Sequence, residues 1–215
     1  MIDFHTHTLF SDGVLVPSEL IRRADVIGYQ AIAFTDHGDS SNLDIIIPHL
    51  VKVCKEIAGQ WKIKAIPGIE LTHVPPKLIP ALERDARKLG AKLVVVHGET
   101  ITEPVSKGTN RAALESNVDI LAHPGLITED EVRLAKANNV YLEITGRKGH
   151  CLTNGHVSRL AMKVGAKLVI NSDAHAPGDL MTLDFARSVA IGAGMSDGDF
   201  KAVRLNAKEL LEQVE

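Results

Sequence analysis

With 215 residues, 45% hydrophobic and 24% charged, the chain has enough apolar material for a substantial core, which excludes disordered and collagen-like classes. The balance of 24 Lys and Arg against 27 Asp and Glu leaves a formal charge of -3, so no global basic field attracts polyanions, and a nucleic-acid polymer is not expected as partner. Cys54 and Cys151 form no Cys-x-x-Cys pair and read as ordinary thiols in a reduced, cytoplasmic setting; no leader is expected and no apolar run is long enough to span a membrane.

Ile2 to Phe4 reads as a strand ending on His5-Thr6-His7. In extended backbone, residues i and i+2 share a face, so these two imidazoles project together, and neutral imidazole is the commonest metal ligand. Pro17 starts a helix that Gly28 closes, and Gln30 to Thr35 is a second strand. A helix follows from about Leu43 to Ala58, with Pro48 a candidate to kink or divide it. Lys62 to Ile66 is the third strand and runs on into Gly68-Ile69-Glu70; a helix over Pro76 to Leu89 then leads to a fourth strand at Lys92 to Val96.

A polar stretch with a short helix near Arg111 to Glu115 precedes the fifth strand, Val118 to Ala122. Thr128-Glu129-Asp130-Glu131 matches a capping box for a helix to Ala137, and Val140 to Ile144 is strand six. After the loop Thr145 to His150, a helix over Asn154 to Val164 leads to strand seven, Lys167 to Asn171. Helices are expected near 178–192, 196–203 and 206–214, with Asn206 as cap of the last. Strands alternating with helices and no break in composition predict parallel βαβ units in one domain over 1–215.

The reactive residues argue for closure of that sheet. His5 and His7 follow the first strand, His37 the second, Glu70 the third, His97 the fourth, His123 the fifth, and Asp173 and His175 the seventh, with Asp12 in the first loop. Six of the ten histidines thus fall at strand C-termini, which meet at one mouth in a β/α barrel, where barrel enzymes place their chemistry. So many imidazoles and carboxylates exceed the donors of one ion, and a mixed set without thiolate suits Zn, Mn or Fe(II). Such clusters polarise phosphoryl or carbonyl oxygens and generate hydroxide near neutrality, so hydrolysis is the expected reaction.

His5-x-His7 with Ser11-Asp12-Gly13, Thr35-Asp36-His37, Gly68-Ile69-Glu70, His97, His123-Pro124 and Ser172-Asp173-x-His175 resemble, in that order, the PHP (polymerase and histidinol phosphatase) domain family over essentially the whole chain. The resemblance implies a distorted seven-stranded, TIM-like β/α barrel with three divalent ions at the strand C-termini. One ion would take His5, His7, Glu70 and Asp173; a second would share Glu70 and take His97 and His123; a third would take Asp12, His37 and His175. Some relatives have His at the position of Asp12. The implied activity is hydrolysis of a small phosphomonoester, of the histidinol phosphate kind, by in-line attack of a metal-bridging hydroxide, with Glu70, Asp12 and Asp173 the catalytic carboxylates. Phosphodiester or nucleotide substrates, and a non-catalytic module, are the alternatives; a related amidohydrolase would need a lysine bridge, which has no counterpart here.

Arg147, Lys148 and His150, in the glycine-flanked loop after strand six, are the candidates for substrate binding, because a guanidinium can grip phosphate bidentately. Glu143 is expected in an ordinary ion pair before a role in orienting a ligand histidine. Asp36 is expected to support its neighbours, His73 to line the mouth or lie in a surface loop, and Asn171 and Ser172 to orient the ligands after them.

Overall fold

The alternation of short apolar runs with amphipathic stretches produces a ring of parallel strands in the computed structural model, which describes residues 1–215. The strands are β1 (Ile2–Asp3), β2 (Ala31–Phe34), β3 (His37–Gly38), β4 (Lys64–Leu71), β5 (Leu93–His97), β6 (Ile120–Ala122), β7 (Tyr141–Thr145) and β8 (Leu168–Asn171). β2 and β3 both pair with β4, at Ala31 to Lys64 and at His37 to Glu70, so they are two parts of one strand position and the ring has seven. Outside it run α1 (Pro17–Val26), α2 (Leu43–Ile57), α3 (Ile79–Leu89), α4 (Thr109–Leu114), α5 (Glu129–Ala137), α6 (Asn154–Val164), α7 (Leu183–Gly192) and α8 (Asp197–Val214). The expected distorted seven-stranded barrel is what the chain forms.

Two corrections concern helices. α2 runs through Pro48 without a break. The last two expected helices are one, α8, capped by Ser196 with Asp199; Asn206 lies inside it and donates from Nδ2 to the Leu168 carbonyl. The capping box at α5 forms as expected, Thr128 Oγ1 accepting from Glu131 N while Glu131 Oε2 accepts from Thr128 N. No helix is long and apolar enough to cross a membrane.

The period of two along each strand divides the core into layers. Ile32, Phe34, Ile69, Leu71, Val94, Val96, Leu142 and Ile170 pack outward against the helices. Ile2, Phe4, Ala31, Ala33, Ile66, Leu93, Val95, Ile120, Ala122, Tyr141 and Val169 fill the barrel, and Ala207, Leu210 and Val214 of α8 join them, so the final helix plugs the end opposite the mouth. Followed toward the strand C-termini, the inward columns change character: Ala31 and Ala33 lead to Thr35 and His37, Ile66 to Gly68 and Glu70, Leu93 and Val95 to His97, Tyr141 to Glu143, Val169 to Asn171 and Asp173. The barrel is apolar at its base and ionisable at its top.

Side chains close the ring where the ladder between the last and first strands is sparse. Thr6 and Ala174 form one isolated bridge, with His7 N donating to Ala174 O. Around it Asn171 Oδ1 accepts from Phe4 N at 2.9 Å and Asp3 accepts from Ser172 N at 3.2 Å, while on the β2 side Thr35 Oγ1 accepts from Thr6 N at 3.1 Å. Asn171 also donates to Glu143 Oε1 at 2.8 Å. Asn171→Ala would strand the buried Phe4 N–H, whose unmade bond costs roughly 1–3 kcal/mol. The variant is expected to unfold at lower urea concentration, and an unchanged midpoint would show that this residue does not hold the seam.

Candidate functional site

Each strand delivers one or two side chains to the mouth. Asp12, His37, His97, Glu103, His123, Arg147, His150, Asp173 and His175 line one cleft there, with no apolar side chain among them. His5, His7 and Glu70 lie buried beneath it. All nine residues expected as ligands are therefore brought together, together with Arg147 and His150. Lys148 is exposed and lines an adjoining groove with Arg147, Ser172, Asp179 and Phe185.

Local backbone geometry explains how they meet. At Gly13 a Cβ would stand 2.3 Å from the His7 carbonyl oxygen, so only glycine lets the Ser-Asp-Gly loop fold back and lay Asp12 against the histidines. Asp36 anchors that loop, accepting from Thr8 N at 2.8 Å and from Ser11 Oγ at 2.8 Å. At Gly98 a Cβ would lie 2.3 Å from Ala122 O, and its absence allows the turns bearing His97 and His123 to approach. His123 and Asp173 adopt φ of 26° and 54°. Such left-handed backbone costs a non-glycine residue of order 1–3 kcal/mol and is typical of residues aimed at a site.

The imidazoles are oriented from behind. Glu143 Oε1 accepts from His5 Nδ1 at 2.8 Å and Glu143 Oε2 from His123 N at 3.1 Å, so this carboxylate orients a histidine where an ordinary ion pair was expected. His97 Nδ1 faces the Gly98 carbonyl at 3.2 Å and His175 Nδ1 the Asp173 carbonyl at 3.0 Å. Their Nε2 atoms are left to face the cleft, as in histidines that bind metals. Across the site, His5 Nε2 lies 3.3 Å from Glu70 Oε1, His7 Nε2 3.2 Å from Asp173 Oδ1, and His37 and His175 Nε2 3.4 and 3.2 Å from Asp12 Oδ1.

Those contacts do not satisfy the buried atoms. His5 Nε2, both ring nitrogens of His7, Glu70 Oε1 and His123 Nδ1 make no hydrogen bond, although His5 and Glu70 are close. Unpaired buried polar atoms are costly, and they are rare unless something binds them. Their donor atoms group within 4.8 Å of one another as His5, His7 and Glu70; as His5, His123 and Asp173; as His7, Asp12, His37 and His175; and as His97, His123 and His150. Imidazole nitrogen and carboxylate oxygen without thiolate is a donor set suited to Zn, Mn or Fe(II), so the residues fit divalent cations.

Electrostatics sharpen the point. Burial opposes charge on His5, yet Glu143, Asp173 and Glu70 hold its pKa well above the usual value. Burial and the neighbouring His37 and His5 hold His7 well below it, and burial with His97 does the same to His123. Glu70 resists burial and stays far below the ordinary carboxyl range because His5 and His37 face it. Burial pushes Asp173 up to about 7, against the pull of His5 and with Glu70 adding to the rise.

Sequence reasoning did not find Glu103, which stands among three imidazoles. It lies in a polar loop with no periodicity, and only its proximity in space to His97 marks it out. His73, read as lining the mouth or lying in a surface loop, is at the rim, 3.0 Å from Glu103.

The PHP domain family pattern matches residues 3–153. An uncharacterized protein of Methanocaldococcus jannaschii is 47% identical over 99% of both chains. A probable phosphatase of Shewanella amazonensis is 31% identical over 88% of this chain and 82% of its own. Among solved structures, the histidinol phosphate phosphatase of Lactococcus lactis, complexed with zinc, L-histidinol and phosphate, superposes with TM-score 0.62 at 18% identity, over 91% of this chain and 94% of that one. A chain of archaeal ribonuclease P with mature tRNA gives TM-score 0.75 at 19% identity, over 98% and 90%. At those identities the likeness is one of fold.

Asp173 supplies a pH test in ion-free protein. Its folded pKa of about 7 exceeds the ordinary 3.8, so the folded state holds an extra proton between those values, and the stability it contributes is lost as pH rises through about 7. Urea unfolding in chelator should show stability falling between about pH 5 and about pH 8, by on the order of 2 kcal/mol more in wild type than in Asp173→Asn. Equal pH dependence in the two proteins would contradict this reading of the site.

Proposed function

The chain belongs to the PHP domain family, and from that membership and the geometry of its mouth we propose that it is a metal-dependent phosphoesterase hydrolysing a small phosphomonoester. The observation that carries the proposal is the convergence of nine imidazole and carboxylate side chains on one cleft with buried donor atoms left unpaired among them. A purely structural barrel has no use for so many costly polar groups at one spot.

Three groups of residues would hold divalent ions, Zn, Mn or Fe: His5, His7, Glu70 and Asp173; Glu70, His97 and His123; and Asp12, His37 and His175. Ions bound there would supply Lewis acidity toward the phosphoryl oxygens and a nucleophile drawn from water near neutral pH. Glu70, fully buried between His5 and His37, is placed to serve two of the groups at once. Asp12 faces His37 and His175 from the solvent side and is half-exposed, which puts it nearest an incoming substrate.

Arg147 would bind the phosphate. Its guanidinium lines the cleft, and its partner Asp179 is 3.6 Å away, an ion pair loose enough to be exchanged for a phosphate. The wall of the cleft carries no apolar side chain, whereas the adjoining groove offers Lys148 and Phe185 to the remainder of the substrate. A small phosphorylated molecule suits this polar cleft and a net charge of -3 better than a polymer does. The phosphatase name of the Shewanella relative and the phosphate bound by the Lactococcus enzyme support the same reading.

Phosphate release from a panel of phosphomonoesters and phosphodiesters, with Mn or Zn supplied and Asp173→Asn/His175→Ala as blank, tests the proposal. Metal-dependent monoester turnover lost in the double variant is the expected result. Turnover of diesters alone would move the assignment to a phosphodiesterase, and silence with metal demonstrably bound would overturn it. Arg147→Ala is expected to raise KM by roughly tenfold with a smaller change in kcat, as loss of a charge-assisted phosphate contact should. An unchanged KM would remove Arg147 from the substrate site.

A further inference from the structure

Beyond the nine residues assigned above, His73, Glu103 and His150 converge on the same side of the mouth. We infer that Glu103 and His150 extend the cation site built on His97 and His123, adding an imidazole and a carboxylate to it. The inference rests on the metal-dependent reading proposed above and deepens it.

The Glu103 carboxylate is met by three ring nitrogens: His73 Nε2 at 3.0 Å and His97 Nε2 at 3.2 Å from Oε2, and His150 Nε2 at 3.3 Å from Oε1. His150 is held for this purpose. Its Nδ1 lies 2.8 Å from Thr100 Oγ1 and 3.1 Å from Thr102 Oγ1, and the ring is 8% exposed. Its face is stacked on His123, centroids 4.2 Å apart and planes 15° from parallel. With Nδ1 engaged, only Nε2 can reach inward, and one donor atom each of His97, His123 and His150 lies within 4.8 Å of the others, while Glu103 joins through His97, with which it and His73 form a second such group.

Imidazole nitrogens beside a carboxylate oxygen, without thiolate, are a donor set that suits zinc. His97 reinforces the assignment, because its Nε2 faces Glu103 at 3.2 Å while its Nδ1 is turned to the Gly98 carbonyl. His73, on the rim with φ of 52°, faces the same carboxylate from outside and would hold Glu103 in place.

The test is equilibrium dialysis of the full chain against zinc or manganese with elemental analysis, together with the visible spectrum of the Co(II)-loaded protein. Wild type, Glu103→Gln, His150→Ala and the loop control Lys107→Ala are compared, with circular dichroism of the ion-free forms verifying folding. Glu103→Gln and His150→Ala are each expected to lose one equivalent of metal, or to bind one roughly tenfold or more weakly, and to alter the Co(II) bands, while Lys107→Ala matches wild type. Should His150→Ala fail to fold, the near-isosteric Glu103→Gln decides alone. Wild-type equivalents, affinities and Co(II) spectrum in the variants would overturn the inference and leave the phosphoesterase reading standing. A wild type that binds no ions would overturn both.

Discussion

Closure of the barrel between its last and first strands is the constraint on which the mouth depends. His5 and His7 stand on one side of that seam, Asp173 and His175 on the other, and no arrangement that leaves it open would bring His7 Nε2 within 3.2 Å of Asp173. A continuous ladder would have fixed the register as well, but it would have committed the backbone of residues 4–8 to regular pleating. Here Asn171 and Asp3 accept amide protons that a ladder would have paired. The chain can then turn both His5 and His7 toward the cleft just after Phe4 has pointed into the apolar interior. The distortion of the barrel and the positioning of its ligands are one feature.

The same economy runs through Glu143. Its two oxygens accept from His5 Nδ1, Asn171 Nδ2 and His123 N, so one buried carboxylate ties the seam, the first strand and the fifth loop together. Beneath it the interior is aliphatic and aromatic and is sealed at the base by α8. Charge is thereby confined to one end of a low-dielectric core, where electrostatic interactions are strong and uncompensated donors are expensive. Divalent cations would resolve that conflict, joining stability to function in the same set of atoms.

Much of this was legible in the sequence, because side chains at strand C-termini are forced to one mouth by closure whatever the loops do. His5, His7, His37, Glu70, His97, His123, Asp173 and His175 follow from strand positions alone, and Asp12 from the family resemblance of its Ser-Asp-Gly motif. The loops resisted such reading. Glu103 lies in an aperiodic segment after β5, and its meeting with His73 and His150 depends on how two loops fold over each other. Glu143 reads as one more charge until Asn171 and His5 are seen on either side of it. At the C-terminus, Asn206 resembles a cap because Asn favours helix starts, but tertiary packing on Leu168 overrides that preference and the helix passes through it.

The account stands or falls on cations occupying the mouth. Anomalous diffraction at the zinc or manganese edge, from crystals grown with that metal, would test it most directly. Peaks among His5, His7, Glu70 and Asp173, beside His97 and His123, and between Asp12, His37 and His175 are the predicted result. A cleft free of anomalous density, with the side chains ordered and metal present in the crystal at millimolar-scale excess, roughly that of a weak site, would contradict it.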